Sequence, residues 1–355
     1  MNFSNPNTGA FVWSRTAGDI LLTGGPSPHT PVLFTVILNG SEVVNFELTA
    51  VSGMITLRFK DILEAVLPRN AMLSSGRSTR YSNTVAIRAT VNEDSITTST
   101  MVCFRGGIDE LSPAYPYTTH WLTWKPQITD TWAWAKEQLS CIIGPSTSVT
   151  VSAKVYFAYH TPVTVTVATF ASQSGASIGT VDCSPSVIEG LANVSNDAMV
   201  AYDVYTGNVR SHRFILKPTR LRGREFLFRN SLGVWDTVFA TGDVSRETEM
   251  GLSTVTINGE ETEIANAAVE RFKVQTGSLR ERRMMDQWQD FFRTTERSVL
   301  LQGDIPRRIV VDSIEPEMTE HALSSAAVTY HYAKAFTGRY YNDSALEPYD
   351  YTASE

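Results

Sequence analysis

The sequence predicts a mainly β protein built from two to three antiparallel β-sandwich-like domains, with one short and one long helix. Apolar residues alternate with polar ones in several separate runs, which puts one strand face on a core and the other towards water. Asn-Gly pairs sit between such runs and supply the positive φ angles of a type I′ hairpin turn. Ser, Thr and Gly recur at intervals of roughly ten residues, a rhythm of antiparallel sandwiches rather than of βαβ units. At 355 residues the chain exceeds the usual single domain.

In chain order, the first hairpin lies in "FTVILNGSEVVNFEL", turning at Asn39-Gly40. Ile55, Leu57 and Phe59 then alternate with Thr56, Arg58 and Lys60 as a strand. "KDILEAVLP" follows as a short helix with Ile62, Leu63, Val66 and Leu67 on one face, stopped by Pro68. Val85, Ile87, Ala89 and Val91 form the next alternating run, and Val149, Val151, Ala153, Val155 and Phe157 a later one. A second Asn-Gly turn falls at Asn258-Gly259. The long helix begins at Ser278 in "SLRERRMMDQWQDFFRTTERSV", where Ser278 and Glu281 have the spacing of a capping box. Met284, Trp288, Phe291, Phe292, Thr295 and Val299 recur at helical spacing as one broad apolar face. The chain's own sheet or a neighbouring subunit must cover that face. Both helices follow an Asn-Gly hairpin and one further strand, the mark of a duplicated module.

Composition shifts divide the chain. Residues 1–110 read as an N-terminal β domain with the short helix. Residues 111–145, rich in Trp and Pro with little alternation, read as an ordered connection. Residues 146–220 read as a sandwich-like domain, and 221–355 as a C-terminal β domain with the long helix. The second boundary lies at "KPTRLRGR", 217–224. The Tyr-rich, acidic 337–355 segment reads as an arm ordered on assembly.

With 42% apolar and 19% charged residues there is ample material for packed cores. A net charge of −7 argues against wrapping nucleic acid, and the Arg280–Arg297 cluster reads as a solvated face balanced by Glu281, Asp286, Asp290 and Glu296. The N-terminus lacks a secretory pattern and no apolar run is long enough to span a membrane, so the protein is expected to be made in the cytoplasm. Cys103, Cys141 and Cys183 match neither zinc-ligand nor disulfide spacing and read as reduced core residues. No P-loop, dinucleotide, HExxH, GxSxG or CxxC motif occurs, so no cofactor and no enzymatic activity are expected. The carboxylate pairs Asp109-Glu110 and Glu315 with Glu317 have a glycosidase-like composition, which acidic loops commonly share. Trp121, Trp124, Trp132 and Trp134 either plug a junction between sandwiches or form a platform for sugar rings.

One stretch stands out, "FLFRNSLGVWDTVFATGDV" at 226–244, a hairpin whose turn conformations come from Asn230 and Gly233. It resembles a segment of the structural, tail- or baseplate-type proteins of gut Bacteroidetes phages and prophages. "FTVILNGSEVVNFELTAVSGMITLRFKDILEAVL" at 34–67 resembles the recurring opening of such proteins. The resemblance implies a virion protein, in the tail or its distal end, that acts as a homo-oligomer among other virion proteins. It brings no catalytic residue. Met284, Trp288, Phe291 and Phe292 are then the candidate assembly interface. The alternative is a receptor- or glycan-binding module using Trp121, Trp124, Trp132 and Trp134 on a host-surface glycan.

Overall fold

In a computed structural model the chain is mainly β, with three helices among its described residues. Those residues are 1–7, 9–24, 30–51, 53–68, 76–107, 116–218, 223–257, 260–301, 305–319 and 322–333. Asp109-Glu110, Asn258-Gly259, residues 219–222 of the 217–224 boundary and the 337–355 segment lie outside them.

The alternating runs fold as their period of two dictates. Thr84–Val91 buries Val85, Ile87 and Ala89, and Val149–Phe157 buries Val151, Ala153, Val155 and Phe157. The first Asn-Gly turn takes positive φ at both positions, 51° and 82°, between the paired residues Leu38 and Ser41. In the N-terminal core, a three-stranded sheet carrying Ile20, Leu22, Ile55 and Leu57 faces a six-stranded sheet carrying Val32, Phe34, Val36 and Ile87. Helix α1 (Phe59–Val66) closes this core with Phe59 and Leu63. The expected strand through Phe59 therefore stops at Leu57. Phe59 is fully buried as the first residue of the helix, and its apolar character serves the helix face rather than a strand face.

The middle core lies between a five-stranded sheet and a three-stranded one, and α2 (Pro185–Ala192) packs against it through Ile188. The sequence reading missed α2. Its signals are local: Pro185 at the first turn after Ser184, and Asn193 in the left-handed conformation at the C-terminal end. The aromatic segment is ordered, but it is more than a connection. It contributes Ile128–Thr131 to the five-stranded sheet, Gln138–Ile143 to the three-stranded sheet, and Trp121 to the middle core. The Ser78–Tyr81 strand also crosses from the N-terminal region to pair with Ser177–Asp182. Two pairings depart from the antiparallel rule: Val12–Trp13 with Met101–Phe104, and Ile128–Thr131 with Arg210–Leu216, are parallel.

The C-terminal core is a single seven-stranded sheet covered by helix α3 (Arg282–Arg293). This helix is shorter than its apolar periodicity suggests. Glu281 occupies the N-cap position with extended backbone and no side-chain cap forms, so the Ser278–Glu281 box is not used. At the other end Val299 belongs to the Arg297–Leu301 strand, which pairs with Arg224–Arg229. Arg297 turns back to donate to the carbonyl oxygens of Phe291 and Phe292, 2.8 and 2.6 Å, satisfying groups that the helix end leaves open. The duplicated module also fails here. The "further strand" before α3 is the continuation of the second hairpin arm, Glu260–Gln275, whereas Ile55–Leu57 before α1 joins a different sheet from its hairpin.

Two hairpins outgrow the C-terminal sheet. Val244–Ile257 and Glu260–Gln275 pair along their length, yet a third strand (Ala322–Tyr332) pairs only with Phe272–Gln275. Among the described residues, eleven residue pairs from Glu247↔Arg271 to Ile257↔Glu260 thus form a two-stranded ribbon with no third strand, roughly 35 Å long at the usual rise per residue. The Ile305–Thr319/Ala322–Tyr332 hairpin likewise runs four pairs past its neighbour, from Pro316↔Ala326 to Thr319↔Ala322. Because Glu260–Gln275 is antiparallel to Ala322–Tyr332, the two ribbons leave the sheet at opposite ends.

Candidate functional site

The 226–244 hairpin is where the three cores meet. Its loop has Gly233 N donating to Asn230 O and Asn230 N donating to Val234 O, with Gly233 at φ 83°. This is a type I turn followed by a left-handed residue, which Asn at the first position and Gly at the fourth favour. Phe226 and Phe228 point into the C-terminal core, where Phe291 lies 5.3 and 5.5 Å from them, centroid to centroid. Beyond the turn, Leu232 and Val234 enter a separate apolar cluster with Trp13 and Phe104 from the N-terminal region and Leu122, Ile142 and Ile178 from the middle one.

Backbone closeness fixes this junction. A Cβ on Gly233 would lie 1.8 Å from the carbonyl oxygen of Arg105, and one on Gly106 (φ 112°) would lie 2.6 Å from the Gly233 Cα. Both positions therefore require glycine for conformation and for space. Gly107 N donates to Ser231 O, Trp124 Nε1 to Ser231 Oγ, and Asn230 Nδ2 to Leu122 O. Ser231 N in turn donates to Asp290 Oδ2 on α3, 2.8 Å away. Burial raises the Asp290 carboxyl to about 6, against the opposing pull of Ser231 and Arg15.

Beneath the hairpin lies an ionic cluster that the sequence reading did not single out. Lys125, Glu137 and Asp236 are each about 1% exposed. Lys125 Nζ donates to Glu137 Oε2 and to Thr237 Oγ1 (2.7 Å) and lies 3.4 Å from Asp236 Oδ1. Thr131 Oγ1 donates to Glu137 Oε1 (3.0 Å), and Thr123 Oγ1 to Asp236 Oδ2 (2.6 Å). Burial works against the Lys125 ammonium, but Glu137, Asp236 and Glu225 more than reverse that effect and raise its pKa. The cluster joins the aromatic segment to the second strand of the hairpin, Trp235–Ala240, and its members are buried. Its chemistry is that of a lock. A sequence-level signal existed: Lys125 between Trp124 and Pro126, and Glu137 just before "QLSCII", are charges inside stretches whose texture is apolar.

The residues singled out from sequence have separate surroundings. Trp288 and Phe291 are buried among Phe226, Phe228 and Tyr330, with Met284 and Phe292 packed at the edge of the same core. The chain's own sheet therefore covers the helix face that had been a candidate assembly interface. The four tryptophans do not form one platform. Trp121 lies in the middle core and Trp124 at the junction, Trp132 is buried against Phe239 (4.8 Å), and Trp134 alone is exposed, at 38%. The Arg280–Arg297 region is not simply a solvated face either. Asp290 is half-buried and accepts from Ser231 N, and Glu296 pairs with Arg229. The three cysteines are free and buried, and burial raises Cys103 to about 12 and Cys141 to about 11. Glu315 pairs with Lys273 on the sheet surface. No group of three or more His, Cys, Asp or Glu able to hold a metal occurs among the described residues. No described helix is long and apolar enough to cross a membrane.

No protein-family model matches the sequence, and comparison with curated proteins finds no match.

Proposed function

We propose that the chain is a structural component of a bacteriophage-like particle, in the tail or its distal end, acting through oligomeric assembly. The observation that carries this reading is the bare ribbon at 247–271. A two-stranded hairpin is marginally stable alone in water, and its free edges are a template for another strand. Eleven pairs without a third strand among the described residues are better suited to a partner than to a solitary monomer. Ribbons leaving opposite ends of one sheet suit head-to-tail contacts between copies. The N-terminal sheet adds a third open edge: Ser41–Thr49 is its outer strand, and Val43, Val44 and Leu48 are exposed there. The resemblance of 34–67 and 226–244 to phage structural proteins points the same way. The burial of Trp121 and Trp132 supports the assembly reading over the glycan-binding alternative.

The test compares the full chain with a variant in which Asn-Gly replaces residues 250–268 between the paired Glu249 and Val269. Light scattering and negative-stain images should show discrete multimers for the full chain and a folded monomer for the variant. A full chain that stays monomeric, or multimers indifferent to the shortening, would each go against ribbon-mediated assembly.

A further inference from the structure

We infer that the cleft beside the junction is a binding site for an oxyanion, a phosphate or carboxylate group. The cleft has a volume of about 310 Å³ and is lined by Arg15, Arg105, Arg229 and Arg293 against only two carboxylates, Glu64 and Glu296. Those two are engaged: Arg105 Nη2 lies 3.4 Å from Glu64 Oε2, and Arg229 Nε 3.3 Å from Glu296 Oε2. Arg15 and Arg293 are exposed and make no ion pair among the described residues. Asp290 is near enough to feel Arg15, but it is half-buried and already accepts from Ser231. The cleft therefore holds two guanidinium groups in excess of its carboxylates.

The backbone that carries these side chains is held in place before any ligand arrives. Arg15 stands on the short 3₁₀ turn Ser14–Thr16, whose backbone donates to Gly106 O, and Ser14 Oγ donates to Glu64 on α1. Arg229 opens the Asn230–Gly233 loop, and Arg293 ends α3. Gly106 and Gly233 form a close-packed wall between them. Guanidinium forks match the paired oxygens of phosphate and carboxylate, and pre-positioned donors lower the ordering cost of binding. The bound group would bridge elements from the N-terminal and C-terminal cores, and so stabilise their docking by mass action.

Two sources can present this chemistry: a free phosphate-type anion, or carboxylates of a second copy. The sequence of 247–270 contains six Glu and no Lys or Arg, with Glu260, Glu261 and Glu263 just beyond the ribbon's turn. Binding of a free anion would hold whether or not the assembly reading does.

Calorimetric titrations of the full chain would use inorganic phosphate in one arm and a synthetic peptide of residues 254–264 in the other. The Arg15→Ala/Arg293→Ala variant is the probe, and Arg88→Ala, whose side chain pairs with Glu42 and does not line the cleft, is the control. Saturable binding in either arm, weakened about tenfold or more in the double variant and unchanged in the control, is the expected result. Phosphate binding alone identifies a free-anion site, and peptide binding identifies a second copy as the source. Unchanged melting of the unliganded double variant distinguishes lost binding from lost fold. Absence of saturable binding in both arms, or binding indifferent to the double variant, overturns the inference.

Discussion

The junction and the long ribbon are built from the same kind of element, an antiparallel hairpin, and they end in opposite conditions. At 226–240 nearly every residue is buried, and the loop reaches partners in the other two regions, Asn230 at Leu122 O and Ser231 O at Gly107 N. At 247–271 the backbone pairs only with itself. The junction hairpin is stabilised by what surrounds it, whereas the ribbon has a core at its base only. Rigidity and availability are thus separated along one sheet. The hairpin that sets the arrangement of the three cores is mostly buried and open only at the cleft along its loop, and the ribbon, whose edges are open, does not set it.

The largest break in that contrast should come from Lys125→Met, which strands Glu137 and Asp236 without their cation. Denaturant titration should show a loss of about 3–5 kcal/mol. Neutralising the acids as well, in Lys125→Met/Glu137→Gln/Asp236→Asn, should recover much of it. Recovery would mean that the charges serve specificity of docking more than stability. Next, Gly233→Ala forces a methyl group into the Arg105 carbonyl at a positive φ and should cost about 2–4 kcal/mol. The matching change in the first hairpin, Gly40→Ala, meets open space at φ 82° and should cost only about 1 kcal/mol. Equal costs at the two glycines would show that backbone closeness at the junction is not what matters.

Half-buried Asp290 and buried His212 give the junction and the neighbouring middle core opposite responses to pH. Asp290 has its pKa raised from 3.8 to about 6, so the folded state holds its proton more tightly than the unfolded state. Its contribution is fully present below pH 3.8 and is lost as pH rises through about 6, a swing of about 3 kcal/mol. Asp290→Asn should therefore be more stable than the parent above pH 6, with the gap closing below pH 4 in urea melts. His212 goes the other way. Burial depresses it from 6.5 to about 3, with Lys125 adding to the effect. Stability associated with neutral His212 is present above pH 6.5 and lost as pH falls towards 3. His212→Gln should flatten that acid limb, and an unchanged limb would place the acid sensitivity elsewhere.

The strands, the first Asn-Gly turn and the mainly β class were readable because they depend on local pattern: a period of two and a positive-φ turn are properties of neighbouring residues. The apolar period of α3 was readable for the same reason, but not its ends. Arg297 as a cap and Val299 as a strand residue depend on the distant Arg224–Arg229 strand. The 226–244 stretch could be recognised as a hairpin but not as the meeting point of three cores. Its partners Leu122, Gly106 and Asp290 are far away in sequence, and nothing local marks them. The same applies to Lys125, Glu137 and Asp236, and to the arginines of the cleft. Each is an ordinary charge along the chain and becomes a lock or a site only when folding removes water and brings its partners near. Sequence by itself determined which segments extend, turn and coil. The tertiary structure alone decided which charges are buried together and which strand edges are left open, because both follow from long-range packing.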